Sequence, residues 1–215
     1  MTRKELKERA RKQLENNWGD VILAMLVYLL IVGVSGSLVV GIVLLGPMMV
    51  GEAIYLTKFV RFGEKKIETL FSGFEDFGSN FVLGLLVTIF VALWSLLLVI
   101  PGIVMSYAYA ACYYIKQAQP DIEAMDCIRK SKEVMDGHKW ELFVLDLSFI
   151  GWAILASLTF GIGYIWLFPY MEVTRANYFV NLLREKGIME MPVKETSSED
   201  TIVVDMPENT QNDNE

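Results

Sequence analysis

Four charged residues stand within otherwise apolar stretches of this chain, and their types could do chemistry: Glu52, Asp146, Glu172 and Arg175. A charge in such a segment is costly and therefore raises a functional hypothesis. Asp146 lies six positions after Trp140, which is about 9 Å along a helix axis. Glu172 and Arg175 are three positions apart, so they share one helix face and lie within pairing distance. The spacing predicts that the four residues form one polar layer between helices.

Two interpretations of this polar layer stay open. In the first, Arg175 anchors an anionic headgroup or a proton pathway, and the three acids serve as relays. In the second, the four charges neutralise one another and have only a structural role, with Arg175 extending its guanidinium towards the polar surface.

The segments that carry this layer have the composition of membrane helices. Hydrophobic residues make up 53% of the chain, and the mean hydropathy is +0.39. Charged residues are absent from three long stretches, 21–49, 80–115 and 147–171. A helix of a water-soluble protein needs a polar face, whereas a bilayer crossing takes roughly 20 mainly apolar residues. We therefore expect an all-α, polytopic membrane protein.

The apolar stretches divide into six segments, which predict about six transmembrane helices in three hairpins. The hairpins cover about 18–60, 80–118 and 139–185 within a membrane domain 18–186. The breaks between partner helices carry no charge, as at Ser35–Ser37 and Ile100–Gly102. Several segments are short for a full crossing, so they either extend into flanking residues or are re-entrant.

Three amphipathic helices are predicted outside the hairpins, at 1–17, 64–78 and 120–136. The first is basic, with a stripe of apolar residues at every fourth position from Leu6 to Trp18, a pattern that suits an anionic lipid surface. Lys and Arg cluster in the segments between hairpins, which marks these segments as cytoplasmic. Both termini then face the cytoplasm of a bacterial cell, and the protein lies in its cytoplasmic membrane. The segment 187–215 is acidic and accounts for the net charge of −7, and we expect this tail to be disordered.

The sequence gives no sign of an enzyme. It has no metal-ligand spacing, phosphate-binding loop or nucleophile motif, so no catalytic residue, cofactor or metal is expected. The only histidine, His138, stands at a predicted helix entry, where a solvated or capping role is typical. The basic segments fit topology signals rather than a nucleic-acid site. Cys112 and Cys127 fall in an apolar and a polar segment respectively, and we expect no disulfide between them.

Several motifs resemble a known family. The stretch LLLVIPGIVMSYAYAACYYI contains Ile100-Pro101-Gly102, a second motif runs from Ser131 to Trp140, and a third runs from Pro169 to Ala176. Together with the N-terminal helix, they resemble the bacterial multi-pass membrane proteins grouped as DUF975, which are uncharacterised. The resemblance covers the chain up to about Gly187. It implies a multi-pass fold and supplies no catalytic residue.

These features lead to two functional hypotheses. The first is a non-enzymatic scaffold or accessory protein that binds lipids through anionic headgroups, or binds another membrane protein or a second copy of itself. The alternative is a small transporter or channel subunit that uses the layer formed by Glu52, Asp146, Glu172 and Arg175.

Overall fold

The computed structural model describes residues 2–34 and 38–189. Within them the protein is helical and contains no strand. The predicted turn at 35–37 and the predicted acidic tail from 190 onwards lie outside the described residues. The elements are α1 (Arg3–Leu14), α2 (Trp18–Val34), α3 (Leu38–Phe62), a 3₁₀ helix (Ile67–Phe74), α4 (Phe77–Leu97), α5 (Val99–Tyr109), α6 (Cys112–Ala118), α7 (Ala124–Val134), α8 (Lys139–Leu147), α9 (Ile150–Leu158) and α10 (Tyr164–Glu185).

The N-terminal helix α1 begins with a capping box. The Thr2 hydroxyl accepts the Glu5 N–H at 3.3 Å, and the Glu5 carboxylate accepts the Thr2 N–H at 2.9 Å. The backbone N–H groups of Thr2 and Glu5, which have no partner within the helix, are thereby hydrogen-bonded. A buried stripe of Leu6, Ala10 and Leu14 packs α1 onto the rest of the protein. The chain then bends by 99° into α2, so α1 runs across the direction of the hairpin that follows.

Each hairpin is preceded by a short helix. The order is α1 before α2–α3, the 3₁₀ helix before α4–α5–α6, and α7 before α8–α9–α10. The returning arms α3, α6 and α10 contact one another at the centre. Each returning arm also contacts the short helix of the next unit: α3 contacts the 3₁₀ helix, α6 contacts α7, and α10 contacts α1. The last contact closes three similar units into a ring.

A small residue recurs where the returning arms meet. The sequences are Ala53-Ile54-Tyr55 in α3, Ala111-Cys112-Tyr113 at the start of α6 and Ala176-Asn177-Tyr178 in α10, and all three alanines are buried. A methyl side chain lets neighbouring helices approach closely. This shared Ala-x-Tyr sequence supports three related units.

The second short helix differs from its predicted form. A regular amphipathic helix was expected over 64–78, whereas the structure has a 3₁₀ helix over Ile67–Phe74. Its Gly73 lies against α3, where a Cβ would come within 1.9 Å of the Pro47 carbonyl oxygen, and its carbonyl accepts a 2.7 Å hydrogen bond from Asn80. This contact with α3, together with the low helix propensity of glycine, accounts for the departure from α geometry.

Three helical stretches are long and apolar enough to cross a membrane, namely Val43–Phe62, Phe77–Leu96 and Lys139–Leu158. A fourth is obtained if the bent pair α1–α2 is taken as one span. With 17 residues α2 is short, and α5 has only 11, whereas α10 carries internal charges. The predicted layout of six spans is therefore not confirmed, although each predicted hairpin is helical.

Large apolar side chains are exposed mainly near the hairpin ends. Phe160, between α9 and α10, is 99% exposed, and Leu96 at the end of α4 is 86% exposed. Others on the second and third hairpins are Leu93, Leu98, Ile100, Ile103, Trp152, Ile154, Leu158, Ile162 and Trp166. A water-exposed apolar surface this extensive is rare in soluble proteins and typically marks an interaction surface.

The crossing of α3 and α4 provides a test of the packing. A Cβ on Gly84 would lie 2.3 Å from the Gly46 Cα, so Gly84→Ala forces the two backbones apart. We expect a loss of about 1–3 kcal/mol, as for overpacked cores, measured by thermal unfolding of the detergent-solubilised protein. Gly151→Ala in α9 is the control, because a Cβ there meets nothing within 4 Å. Equal melting temperatures for the two variants would contradict the close crossing.

Candidate functional site

The polar layer is built around the contact between Arg175 on α10 and Asp146 on α8. The Arg175 Nε donates to Asp146 Oδ1 at 2.9 Å, and Nη2 donates to Oδ2 at 2.7 Å. This is the bidentate geometry in which a guanidinium binds a carboxylate most strongly. The Asp146 side chain is 15% exposed and that of Arg175 is 36% exposed, so the pair is largely shielded from solvent.

Two further residues contact this pair. The Arg175 Nη1 donates to Glu172 Oε1 at 3.3 Å, one turn earlier on α10. The Tyr107 hydroxyl on α5 donates to Asp146 Oδ2 at 3.0 Å. Asp146 therefore accepts three hydrogen bonds from two different hairpins. The sequence did not single out Tyr107 for this role, because nothing in its spacing indicated which tyrosine faces an acid.

Glu52 on α3 is the fourth member of the layer and is buried. Its carboxylate is a hydrogen-bond partner of the Tyr28 hydroxyl on α2, and it lies within electrostatic reach of Glu172 and Arg175. The structure thus brings all four predicted residues into one region. Glu52 belongs to the first hairpin and lies beyond the direct hydrogen bonds of Arg175.

The layer carries three carboxylates and one guanidinium. Such a cluster can hold a proton among its acids or attract a cation, and its arginine can bind an anion once a carboxylate is displaced. No group of three or more His, Cys, Asp or Glu residues with metal-binding geometry occurs in the part of the chain that the structure describes. The described residues therefore provide no metal site at this layer.

Lys116, at the end of the second hairpin, is a buried charge. Its amine donates to the Ser79 hydroxyl at 2.6 Å and to the carbonyl oxygens of Pro120 and Ile122. It also pairs with Asp76 at 3.5 Å. Lys116 therefore ties the end of α6 to the start of α4 and to the segment before α7, which is a structural role.

Cys112 and Cys127 are free thiols that the packing of α6 on α7 brings side by side. The Cys127 thiol donates to the Cys112 carbonyl oxygen at 3.1 Å. A hydrogen bond with the Cys112 thiol lowers the pKa of the Cys127 thiol, against the opposing effect of burial. Their proximity depends on the packing of two helices, so it could not be predicted from their positions in the sequence.

His138 lies at the entry of α8, where the sequence predicted a solvated or capping residue. Its Nδ1 is 3.0 Å from Glu141 Oε2, and its carbonyl oxygen accepts a hydrogen bond from the Tyr178 hydroxyl. This local pair with Glu141 gives the imidazole a structural position at the start of α8.

A crevice opens between α1, the start of α2 and the third hairpin. Its volume is about 430 Å³. Its lining includes one charged residue, Arg11, and three tryptophans. We call it the tryptophan crevice; it is lined by Arg11, Trp18, Trp152, Leu155, Ala156, Thr159, Gly163, Trp166, Leu167 and Tyr170. It could not be predicted from the sequence, because its walls come from three separate segments.

Removal of the guanidinium tests how much the structure depends on the layer. Arg175→Met leaves Asp146 and Glu172 shielded without a cation. We expect a loss of roughly 2–3 kcal/mol, less than the 3–5 typical of a fully buried pair because Arg175 keeps partial exposure. Unfolding of the detergent-solubilised protein measures it. Arg129→Met is the control, since Arg129 forms an exposed pair with Asp126 that should contribute under 1 kcal/mol. Similar losses in both variants would contradict a structural role for the layer.

Comparison with known proteins identifies the family but supplies no activity. The model of the family described as "Protein of unknown function (DUF975)" matches residues 1–104 and 95–186. No curated protein matches the chain, and no solved structure matches it. The two matched ranges include α1, all three hairpins and the four residues of the polar layer. The chain therefore belongs to the DUF975 family.

Proposed function

We propose that this protein is a non-enzymatic membrane scaffold or accessory protein that binds anionic lipid at the tryptophan crevice. It inserts its hairpins into the cytoplasmic membrane of a bacterium, with both termini on the cytoplasmic side. The observation that carries this proposal is that Arg11, an exposed cation of α1, lines a crevice whose other walls are mainly apolar. The six full crossings remain a prediction from the sequence.

The crevice has the chemistry of a phospholipid site. An arginine recognises a phosphate through paired N–H donors, and aromatic residues such as Trp18 and Trp166 are typical of the boundary between headgroups and acyl chains. The walls formed by Trp152 and Leu155 continue into the exposed apolar surface of α9. A lipid with its phosphate at Arg11 could therefore lay an acyl chain along α9 and remain in the bilayer.

The helix that carries Arg11 is held in place by other residues. The Lys7 amine donates to the Ser148 carbonyl oxygen at 3.1 Å and lies 3.9 Å from the centre of the Phe149 ring. Burial, together with the neighbouring Arg3, lowers the pKa of Lys7. The Tyr170 hydroxyl also donates to the Lys7 carbonyl oxygen. Lys7 thus fixes α1 to the third hairpin, while Arg11 is left exposed for a ligand.

Lipid selectivity provides the test. Full-length protein in a neutral detergent is mixed with phosphatidylglycerol or phosphatidylcholine, and the bound fraction is measured by native mass spectrometry. We expect the wild type to prefer phosphatidylglycerol. Arg11→Ala should weaken phosphatidylglycerol binding about tenfold or more, since a charged hydrogen bond contributes about 1.5–3 kcal/mol.

Lys12→Ala is the matched control, because it removes the same charge from the next residue of α1, which does not line the crevice. It should change the affinity less than twofold. Equal losses for Arg11→Ala and Lys12→Ala would mean that α1 attracts lipid only as a diffuse positive surface. A wild type that binds both lipids equally would contradict the anionic site itself, and a stoichiometric second protein in the native spectrum would favour a protein partner.

A transporter or channel subunit is the second candidate, and the excess of carboxylates in the polar layer favours it. Three acids share one arginine, so a proton or a monovalent cation could be exchanged there. In that case proteoliposomes should show a pH-dependent cation or proton flux, and Glu172→Gln should abolish it. Arg129→Met, far from the layer, should leave the flux intact. Vesicles as tight as protein-free ones would exclude this candidate.

A further inference from the structure

We propose that Arg9 on α1, Arg61 on α3 and Arg184 on α10 form a binding site for a phosphate group, carried either by a soluble anion or by a lipid headgroup. The site is separate from the tryptophan crevice and does not depend on the lipid binding proposed there. Arg9 and Arg11 are two positions apart on α1, which is about 200° around the helix axis. The two arginines therefore lie on different sides of α1.

The first two arginines are brought together by the packing of α1 against the end of α3. The Gln13 amide nitrogen donates to the Val60 carbonyl oxygen at 2.9 Å, and the Gln13 amide oxygen accepts from Asn177 of α10 at 2.6 Å. Arg61 directly follows Val60 in α3. Arg9 stands one turn before Gln13 on the same face of α1. Gln13 therefore links the segments of α1 and α3 that carry Arg9 and Arg61.

Helix α10 contributes Arg184 because it runs antiparallel to α1. Gln13 meets the middle of α10, whereas Leu6 and Leu182 line the same small cleft near the end of α10. Arg9 lies between Gln13 and Leu6 in α1. It therefore passes the last turns of α10, which include Arg184.

The cluster holds like charges in partly buried positions. The charges of Arg61 and Arg9 both act on the Arg184 guanidinium and repel it, and all three side chains are only partly exposed. The Arg184 Nε is shielded from solvent and has no hydrogen-bond partner in the part of the chain that the structure describes. Its neighbour Glu185 accepts a hydrogen bond from Asn181 instead. Like charges held together raise the free energy of the folded protein, and an anion bound among them lowers it.

The repeated units show that the fold does not require an arginine at the end of every returning arm. Eight positions after the alanine of the shared Ala-x-Tyr sequence, the three arms carry Arg61, Gln119 and Arg184. The second unit thus has a neutral amide where the first and third have a guanidinium. The positive charge is a property of two units and not of the shared packing.

The short helices extend this comparison. Helices α1 and α7 are each followed by a residue with left-handed backbone, Asn16 at φ 67° and Gly137 at φ 78°. Seven positions before these residues stand Arg9 and Lys130. In the second unit, Lys130 donates to the Gln119 side chain at 2.7 Å, so one cation meets a neutral acceptor. Where α1 meets α10, a second cation takes the place of that acceptor, which favours a ligand with negative charge.

The arrangement of the donors points to phosphate as the chemical class of this ligand. A guanidinium binds a phosphate through two parallel N–H bonds. A carboxylate presents its two oxygens in one plane, whereas a phosphate presents several oxygens in different directions, as donors from three helices require. Three arginines together suit a phosphate compound that carries at least two negative charges, such as pyrophosphate or a lipid with two phosphates.

Thermal unfolding of the full-length, detergent-solubilised protein tests the site with sodium pyrophosphate as the probe. Sodium chloride at equal ionic strength is the reference, so general screening is the same in both solutions. We expect pyrophosphate to raise the wild-type melting temperature increasingly with concentration, as a ligand of the folded state does. Arg184→Gln should weaken the apparent affinity about tenfold or more, because it removes charged hydrogen bonds to the ligand.

Lys186→Gln is the matched control, because it removes the same charge from an exposed residue two positions away. Its response to pyrophosphate should match that of the wild type. In chloride alone, Arg184→Gln should melt no lower than the wild type, since it removes one of three repelling charges. A lower melting temperature in chloride would mean that Arg184 stabilises the fold, and would overturn the argument from excess charge.

Native mass spectrometry with cardiolipin identifies the source of the phosphate. The protein carries Arg11→Ala, so that the tryptophan crevice does not contribute, and is compared with and without Arg184→Gln. Cardiolipin binding that falls about tenfold with Arg184→Gln would indicate a lipid headgroup, and a response to pyrophosphate alone would indicate a soluble phosphate compound. No response to either probe, or equal losses for Arg184→Gln and Lys186→Gln, would overturn this site. A phosphatidylglycerol preference that depends on Arg11 would then still support the proposed function.

Discussion

The bidentate contact between Arg175 and Asp146 is the interaction on which the arrangement of the hairpins depends. It joins α8 to α10 within the third hairpin, and Asp146 also accepts a hydrogen bond from Tyr107 of the second hairpin. Arg175 acts electrostatically on Glu52, which is bonded to Tyr28 in the first. The second and third hairpins therefore meet at one charged group, and Glu52 of the first lies within its electrostatic reach. Because apolar contacts are not directional, such a polar centre can fix how three similar hairpins are rotated against one another.

The ring of three units explains why this centre is shielded. The arms α3, α6 and α10 contact one another, and each is covered on its outer side by the short helix of a neighbouring unit. The contact of α10 with α1 closes the ring, and the Asn177 amide reinforces it by donating to Gln13 at 2.6 Å. Since α1 belongs to the first unit and α10 to the third, the N-terminal helix completes the fold as well as presenting a basic surface.

The sequence predicted the features that follow from local pattern. Long uncharged stretches indicated apolar hairpins, and apolar residues at every fourth position indicated α1. The Thr2–Glu5 spacing matches the capping box that the structure contains. Charged residues in apolar segments identified the polar layer, because few residue types are tolerated there without a partner.

Features that depend on packing between distant segments could not be predicted in this way. In the sequence, Lys116 looks like any other basic residue of a connecting segment. Its burial and its structural role depend on the approach of Ser79 and Pro120. The tryptophan crevice needs α1 to lie beside α9, which no local pattern specifies. The number of crossings was equally out of reach, since segment length alone cannot distinguish a short span from a re-entrant segment.

The height of the polar layer bears on which function the fold suits. Asp146 is two residues from Ser148, where Lys7 of α1 makes its contact, so Asp146 lies near α1 rather than at the end of its hairpin. At the headgroup level, water and lipid phosphates reduce the cost of unbalanced carboxylates, whereas a charged side chain at the bilayer centre costs roughly 2.5–3.5 kcal/mol. A transport path would also have to continue past the layer, yet no charged residue occurs in 80–115 or in 147–171. The excess of acids therefore requires neither a bound cation nor a channel. A shielded ionic centre between apolar hairpins supports the proposed scaffold more directly than it supports a pore.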